Sequence, residues 1–129
     1  MSIIGIGIDL VDCARIENSI ERFGDRFLKR VFTEGEIAYS QSMKFPARHF
    51  AARFAAKEAL SKAFGTGIGK AMGWRDLDVR KKGSGEPYVV LSGGAERMAQ
   101  ERRVEQVWIS LSHTETIGMA TIILETCDG

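Results

Sequence analysis

Asp9, Glu58 and Lys62 are the residues whose types and positions invite chemistry. Asp9 lies in the opening stretch "IIGIGIDLVD", residues 3–12, where Ile4, Ile6, Ile8 and Leu10 alternate with Gly5, Gly7 and Asp9. A period of two belongs to a strand whose side chains point alternately to opposite faces. One face is then aliphatic and the other is glycine, glycine, carboxylate. So apolar a strand predicts a central position covered on both sides, where a carboxylate is an anomaly. Glu58 and Lys62 lie in "FAARFAAKEALSKAFG", residues 50–65, one helical turn and roughly 40° apart. Each has an ordinary reading: Asp9 caps a nearby amide at a strand end, and Glu58 with Lys62 makes a surface pair worth roughly 0.2–0.5 kcal/mol. Together they have a sharper one. An Asp and a Glu on buried elements form a pair of hard oxygen ligands that, with water and phosphate oxygens, suits Mg2+. Lys62 would add a cation for phosphate charge. Such a set fits phosphoryl or pyrophosphoryl chemistry, where catalysis is positioning plus charge neutralisation.

The elements that must position these residues can be read along the chain. After the first strand, Asp12 can cap a helix starting near Cys13, with Ile16, Ile20, Phe23 and Phe27 as its apolar stripe. Gly24 either breaks or bends that helix. "TEGE" at 33–36 has the form of a capping box and predicts a helix from Glu34. Pro46 suits the start of a long helix through about Phe64, with Gly65 as its C-terminal stop. On that helix Ala52, Ala56, Ala59 and Ala63 share one narrow arc that lets another element approach closely, as Gly5 and Gly7 do on the strand. Arg53 and Lys57 form a second charged cluster on another side, where snorkelling at the helix edge is the ordinary reading. "DLDVRKKGSGEPYVVL" reads as strand, turn, strand, and Ser92 can cap a short helix over 95–103. "VEQVWISLSH" and "TIGMATIILE" read as two strands meeting near Thr114. This order predicts an α+β fold, a largely antiparallel sheet packed with helices including one long buried helix. "GTGIGK" at 65–70 is not a phosphate-binding loop of the kind that precedes a helix, because it follows one and meets the negative end of its dipole.

A chain of 129 residues fits a single domain, 1–129, with a real core. The net charge of +1 gives no global argument for nucleic acid. No apolar run approaches the roughly 20 residues that span a bilayer, and no leader pattern is present. Cys13 and Cys127 make neither a metal-type pair nor a disulfide framework, so a cytoplasmic chain with reduced thiols is expected.

Three blocks, "GIGIDLVDCARIE" (5–17), "RFAAKEALSKAFGTGIG" (53–69) and "SLSHTETIGMA" (110–120), closely resemble the short bacterial 4′-phosphopantetheinyl transferases, the holo-[acyl-carrier-protein] synthase family. They occur in the family's order and the resemblance covers essentially the whole chain. It implies transfer of 4′-phosphopantetheine from coenzyme A to a serine of apo acyl carrier protein, with Mg2+ required, adenosine 3′,5′-bisphosphate released and fatty acid biosynthesis served. On the matching positions Asp9 and Glu58 resemble the metal ligands, and Lys62 the residue that contacts the pyrophosphate. Arg53, His113 and Thr114 resemble positions near the 3′-phosphate and adenosine, and Gly65 to Gly67 positions near the pyrophosphate or pantetheine. The serine proton goes to Glu58 or to a metal-bound water. The resemblance also implies a homotrimer with interfacial sites, for which the alanine face and the final strands are candidate contacts. Trp108 departs from the His that many members carry there. His113 taken alone reads as an ordinary strand-end residue, and His49 as structural or surface.

If the first helix continues through Gly24, Arg15, Arg22 and Arg26 fall on nearly one line about 100° from the apolar stripe. Such a row suits an acidic partner, and the resemblance makes that partner acyl carrier protein, docked notably through Arg15. The competing reading is a solvated face, given Glu17, Glu21 and Asp25. Two other functions use the same residues. One is a Mg2+-dependent phosphohydrolase or nuclease, which would often need a third carboxylate. The other is a non-catalytic module binding coenzyme A or a carrier protein, against which the joint presence of Asp9, Glu58 and Lys62 argues.

Overall fold

The computed structural model describes residues 1–127. Ten regular elements follow one another: β1 (Ser2–Asp12), α1 (Cys13–Phe23), α2 (Asp25–Val31), α3 (Glu34–Gln41), α4 (Pro46–Phe64), β2 (Leu77–Lys81), β3 (Pro87–Leu91), α5 (Gly93–Glu101), β4 (Val104–His113) and β5 (Ile117–Thr126), with a short 3-10 turn over Trp74–Asp76 before β2. The fold is α+β, as the pattern predicts. The strands make two antiparallel sheets rather than one: a three-stranded sheet in the order β1-β5-β4, and the β2-β3 hairpin.

α4 lies across the inner face of the larger sheet, and glycine is the reason it lies so close. A Cβ on Gly7 would sit 1.8 Å from the carbonyl oxygen of Ala59, and one on Gly5 would sit 2.2 Å from that of Ala63. On β5, a Cβ on Gly118 would meet the Ala52 nitrogen at 2.4 Å. The alanine arc of α4 and the glycine face of the sheet are therefore one contact inside the chain. Ile122 and Leu124 of β5 fill the rest of the interface, together with Ile16, Phe32, Phe50 and Leu60.

This packing overturns the expectation for β1. It is an edge strand, paired with β5 alone, and its aliphatic face points outward. Ile6 is 61% exposed and Leu10 is 60% exposed. The face with Gly7 and Val11 is the buried one, because only a face without side chains admits the helix backbone.

The helix boundaries follow local chemistry. Thr33 and Glu36 form the reciprocal capping box expected at the start of α3. Pro46 opens α4, and Gly65 closes it with φ at 79°, a left-handed conformation that costs glycine nothing. Gly24, with φ at 55°, breaks the first helix into α1 and α2. Arg26 thus stands on a separate helix, and the single arginine line through Arg15, Arg22 and Arg26 does not form. Asp12 and Ser92 occupy N-cap positions without a side-chain capping bond. The Ala95 N–H of α5 instead donates to Asp76 Oδ2 at 3.3 Å.

Candidate functional site

β1 and α4 bring the predicted chemical residues together across 53 positions of chain. Lys62 Nζ donates to Asp9 Oδ1 at 2.9 Å and to the Ile8 carbonyl at 3.0 Å. The ion pair that forms is therefore Lys62–Asp9, not the Glu58–Lys62 pair of a free surface helix. Glu58, one turn earlier, completes the group. Burial pushes its carboxyl up from the ordinary value, and the charge of Asp9 adds to that, while Lys62 and Arg15 oppose it. Two carboxylates thus lie close enough to feel each other's charge, with the Lys62 ammonium beside them. The Asp9 side chain is 20% exposed and that of Lys62 is 53% exposed, so the place is open to a ligand from one side.

The donor set fits a hard divalent cation. Asp9, Glu58 and the Ile8 carbonyl offer oxygens, and the Lys62 ammonium already marks where a cation is favoured. No cluster of three or more His, Cys, Asp or Glu that would form a closed metal cage occurs among the described residues. One or two carboxylates together with substrate phosphate are a common way of holding an ion that keeps several waters.

The other charged side of α4 is built differently. Lys57 is completely buried and pairs with Glu36 Oε1 at 2.8 Å, while its ammonium also donates to the Leu77 carbonyl at 2.6 Å. Glu36 accepts from Val79 N at 2.8 Å and Thr33 N at 2.9 Å. This fully bonded pair joins α3, α4 and β2, and it removes Lys57 from any surface role. Snorkelling describes neither Lys57 nor Arg53.

Arg53, 3% exposed, lies with its guanidinium carbon 4.4 Å from the centre of the Tyr39 ring. It donates from Nη1 to the His49 carbonyl at 3.2 Å, and its Nε has no hydrogen-bond partner among the described residues. His49 in turn stacks edge-on against His113, with ring centres 4.9 Å apart, and against Tyr39 at 5.7 Å. Arg53 and His113 thus belong to one cluster through His49. Thr114 Oγ1 accepts from Thr116 N and Ile117 N and closes the β4–β5 turn. The amides of Gly65, Thr66 and Gly67 are all bonded to carbonyls of α4, so as placed they do not point at a ligand.

A family model describing the 4′-phosphopantetheinyl transferase superfamily matches residues 5–118. The chain belongs to that superfamily. Among curated proteins, the holo-[acyl-carrier-protein] synthase of Solibacter usitatus is 46% identical over 123 residues, covering 95% of this chain and 98% of the relative. Among solved structures, holo-[acyl-carrier-protein] synthase from Neisseria meningitidis superposes with a TM-score of 0.88 at 32% identity, over 97% of this chain and 100% of the other. The enzyme from Bacillus anthracis, in complex with CoA (3′,5′-ADP), gives 0.79 at 36% identity over 96% and 97%. The present chain is accordingly an enzyme of the holo-[acyl-carrier-protein] synthase type.

In this phosphopantetheinyl transferase a cleft of about 610 Å3 runs beside α1, lined by Asp12, Arg15, Asn18, Arg22 and Phe23 with Glu115 opposite. The Arg15 guanidinium lies 5.2 Å from the Phe54 ring of α4 and is near enough to Glu58 to favour its ionised form. Arg22 covers the exposed Phe23 at 5.4 Å. Arg26 lines a separate hollow with Phe27 and Arg30. The sequence does not show that Glu36 pairs with Lys57 or that Tyr39, Lys81 and His49, read there as structural or surface, converge. Glu36 was within reach, since a lysine on a buried helix demands a buried carboxylate and Glu36 already carried the capping signal. Tyr39, His49 and Lys81 carried no signal, for they converge only once α3, α4 and β2 are packed.

Proposed function

We propose that this chain transfers the 4′-phosphopantetheine group of coenzyme A to a serine of apo acyl carrier protein, with Mg2+ bound by Asp9 and Glu58, in the service of fatty acid synthesis in the cytoplasm. The observation that carries it is the meeting of Asp9, Lys62 and Glu58 at the β1–α4 contact. The close packing of the glycine face on the alanine arc fixes the backbones that carry these residues. The names of the relatives support the substrates: synthases that make holo carrier protein, one of them bound to CoA (3′,5′-ADP).

In this reading the serine oxygen attacks the β-phosphorus of the coenzyme. The new bond joins that oxygen to the phosphorus, and the bond to the bridging oxygen of the α-phosphate breaks. Adenosine 3′,5′-bisphosphate leaves with the electron pair. Asp9 and Glu58 would hold Mg2+, which would supply Lewis-acid neutralisation of the phosphate oxygens. Lys62, half exposed on a flexible stem, swings from Asp9 to the pyrophosphate and steadies the charge that grows on the leaving group. Glu58, on the α4 face turned to β1, would be the group that takes the hydroxyl proton. Arg15 and Arg22 flank the cleft beside α1 and meet the acidic carrier protein.

Self-association into a homotrimer with interfacial sites is supported by the outer face of the larger sheet. Ile6, Ile8, Leu10 and Trp108 are all more than half exposed on it, an apolar surface of the kind that marks an interface. The alanine arc is excluded from that role because it is spent on β1 and β5 within the chain.

The test is intact-mass spectrometry of apo acyl carrier protein incubated with this protein, coenzyme A and Mg2+. The expected result is a gain of about one phosphopantetheine, roughly 340 Da from its formula, lost with EDTA and in Asp9→Ala and Glu58→Ala. A folded protein that yields no mass gain on several carrier proteins overturns the reading.

A further inference from the structure

Outside the Asp9–Glu58–Lys62 group, the densest set of ionisable side chains is the one around His49. Its members come from every element packed there: Tyr39 from α3, Arg48, His49 and Arg53 from α4, Lys81 from β2 and His113 from β4. Arg53 and Lys81 both lie against the Tyr39 ring, at 4.4 Å and 5.0 Å from its centre. Arg53 has no ion-pair partner among the described residues and a buried Nε without an acceptor. His113 is exposed at the end of an edge strand, where the His49 ring is the aromatic neighbour that fixes it.

We propose that His49 is a positioning residue for the coenzyme end of the site: its ring sets the exposed imidazole of His113, while its main-chain carbonyl accepts from the buried guanidinium of Arg53, so that one phosphate monoester meets the donor of the first and the field of the second. The inference rests on the reading that Arg53 and His113 face the 3′-phosphate of coenzyme A. Arg53 is too deep to offer an exposed donor, but it makes no ion pair among the described residues, Tyr39 and the more distant Glu36 being its favourable neighbours, and in a poorly solvated place its field is strong. A cationic ring at this place would add to the positive charge of Arg53, Lys81 and Arg48 around it. Burial and the surrounding charges of His113, Arg53, Lys81 and Arg48 hold the His49 imidazole neutral, its value pushed down to about 4. A neutral aromatic ring in edge contact with His113 restricts its rotamers without adding charge. His49 is thus an uncharged wedge at neutral pH.

The experiment compares coenzyme A with dephospho-coenzyme A, which lacks the 3′-phosphate, for the wild type, His49→Ala and His49→Phe in the holo-carrier assay. An edge-on aromatic contact of ordinary strength corresponds to about a two- to tenfold effect. The expected result is a KM for coenzyme A raised by that factor in His49→Ala, a much smaller change in kcat, no matching change for dephospho-coenzyme A, and recovery of most of the loss in His49→Phe, which keeps the ring. The chain has two histidines, so His113 gives the one remaining imidazole signal in either variant; it should broaden or shift on adding adenosine 3′,5′-bisphosphate in His49→Phe, and respond at higher ligand concentration in His49→Ala. If wild type does not distinguish the two coenzymes, the 3′-phosphate assignment fails. If it does, but His49→Ala raises both KM values alike or His49→Phe restores nothing, the role of His49 is overturned while the site stands.

Discussion

Gly7→Ala tests the link from sequence to site most directly. The new methyl carbon would sit 1.8 Å from the Ala59 carbonyl oxygen, 2.8 Å from the Ala59 carbonyl carbon and 3.0 Å from the Ala63 nitrogen. All three are backbone atoms of α4, so no side chain can swing aside. Relieving the first contact to the roughly 3.0 Å that a Cβ tolerates requires β1 and α4 to part by about 1.2 Å. Overpacking of this kind costs about 1–3 kcal/mol or more in stability. The site feels the same displacement, because Asp9 is two residues along β1 and Lys62 lies one turn beyond Ala59. A shift of about 1 Å in reacting groups costs on the order of a hundredfold in rate. The expected result is therefore a destabilised but foldable chain whose kcat falls by about that factor. Urea denaturation and the holo-carrier mass assay measure the two effects separately. Gly83→Ala, where a Cβ meets nothing within 4 Å, is the control for glycine replacement itself. Wild-type stability and wild-type kcat in Gly7→Ala would refute the argument that glycine sets the β1–α4 distance and that this distance sets the site.

Four further outcomes follow from other contacts. Lys57→Met strands the buried Glu36 charge and should cost about 3–5 kcal/mol in urea denaturation; adding Glu36→Gln should recover part of it, since an amide oxygen can still accept the Val79 N–H. Glu58→Gln should abolish transfer yet raise Tm at neutral pH. The sign follows from linkage: the folded-state carboxyl is raised, so the folded chain binds more protons and its stability falls as pH rises through that value, a cost the amide removes. Arg15→Glu with Arg22→Glu should raise the KM for carrier protein far more than that for coenzyme A. Ile6→Lys, on the outward face of β1, should leave the fold intact while light scattering reports smaller particles and transfer is lost; an active wild-type monomer would defeat the trimer proposal.

Much of this was legible in the sequence because it depends on neighbours along the chain. Pro46, Gly65 and the Thr33–Glu36 box fix helix ends through backbone groups within a turn or so. Alternation marked β1 as a strand, and glycine opposite alanine marked where a helix would come close. What alternation cannot say is which face goes inward. The usual preference for burying isoleucine points the wrong way here, because the closeness of α4 depends on having no side chain at Gly5 and Gly7 rather than on having a large one. The break at Gly24 was equally open, since the apolar stripe runs on through Phe27 whether or not the helix does. The His49 cluster was not legible at all, for its members are spread over four elements and none is unusual by itself.

Lys57 and Glu58 show how one helix serves both structure and site. They are adjacent in sequence and about 100° apart around α4. That rotation turns Lys57 toward α3 and β2, where Glu36 locks it at 2.8 Å, and Glu58 toward β1 and Asp9. Four residues before Lys57, Arg53 anchors the Tyr39–His49–His113 cluster; four residues after Glu58, Lys62 reaches Asp9 at 2.9 Å. The structural pair and the chemical group therefore share a rigid rod. A change that lets α4 rotate or slide relative to β2 must also move Glu58 relative to Asp9. Loosening the buried pair by Lys57→Met should accordingly lower kcat even at temperatures where the chain remains folded, and a variant that loses stability without losing rate would show that the two faces of α4 are uncoupled.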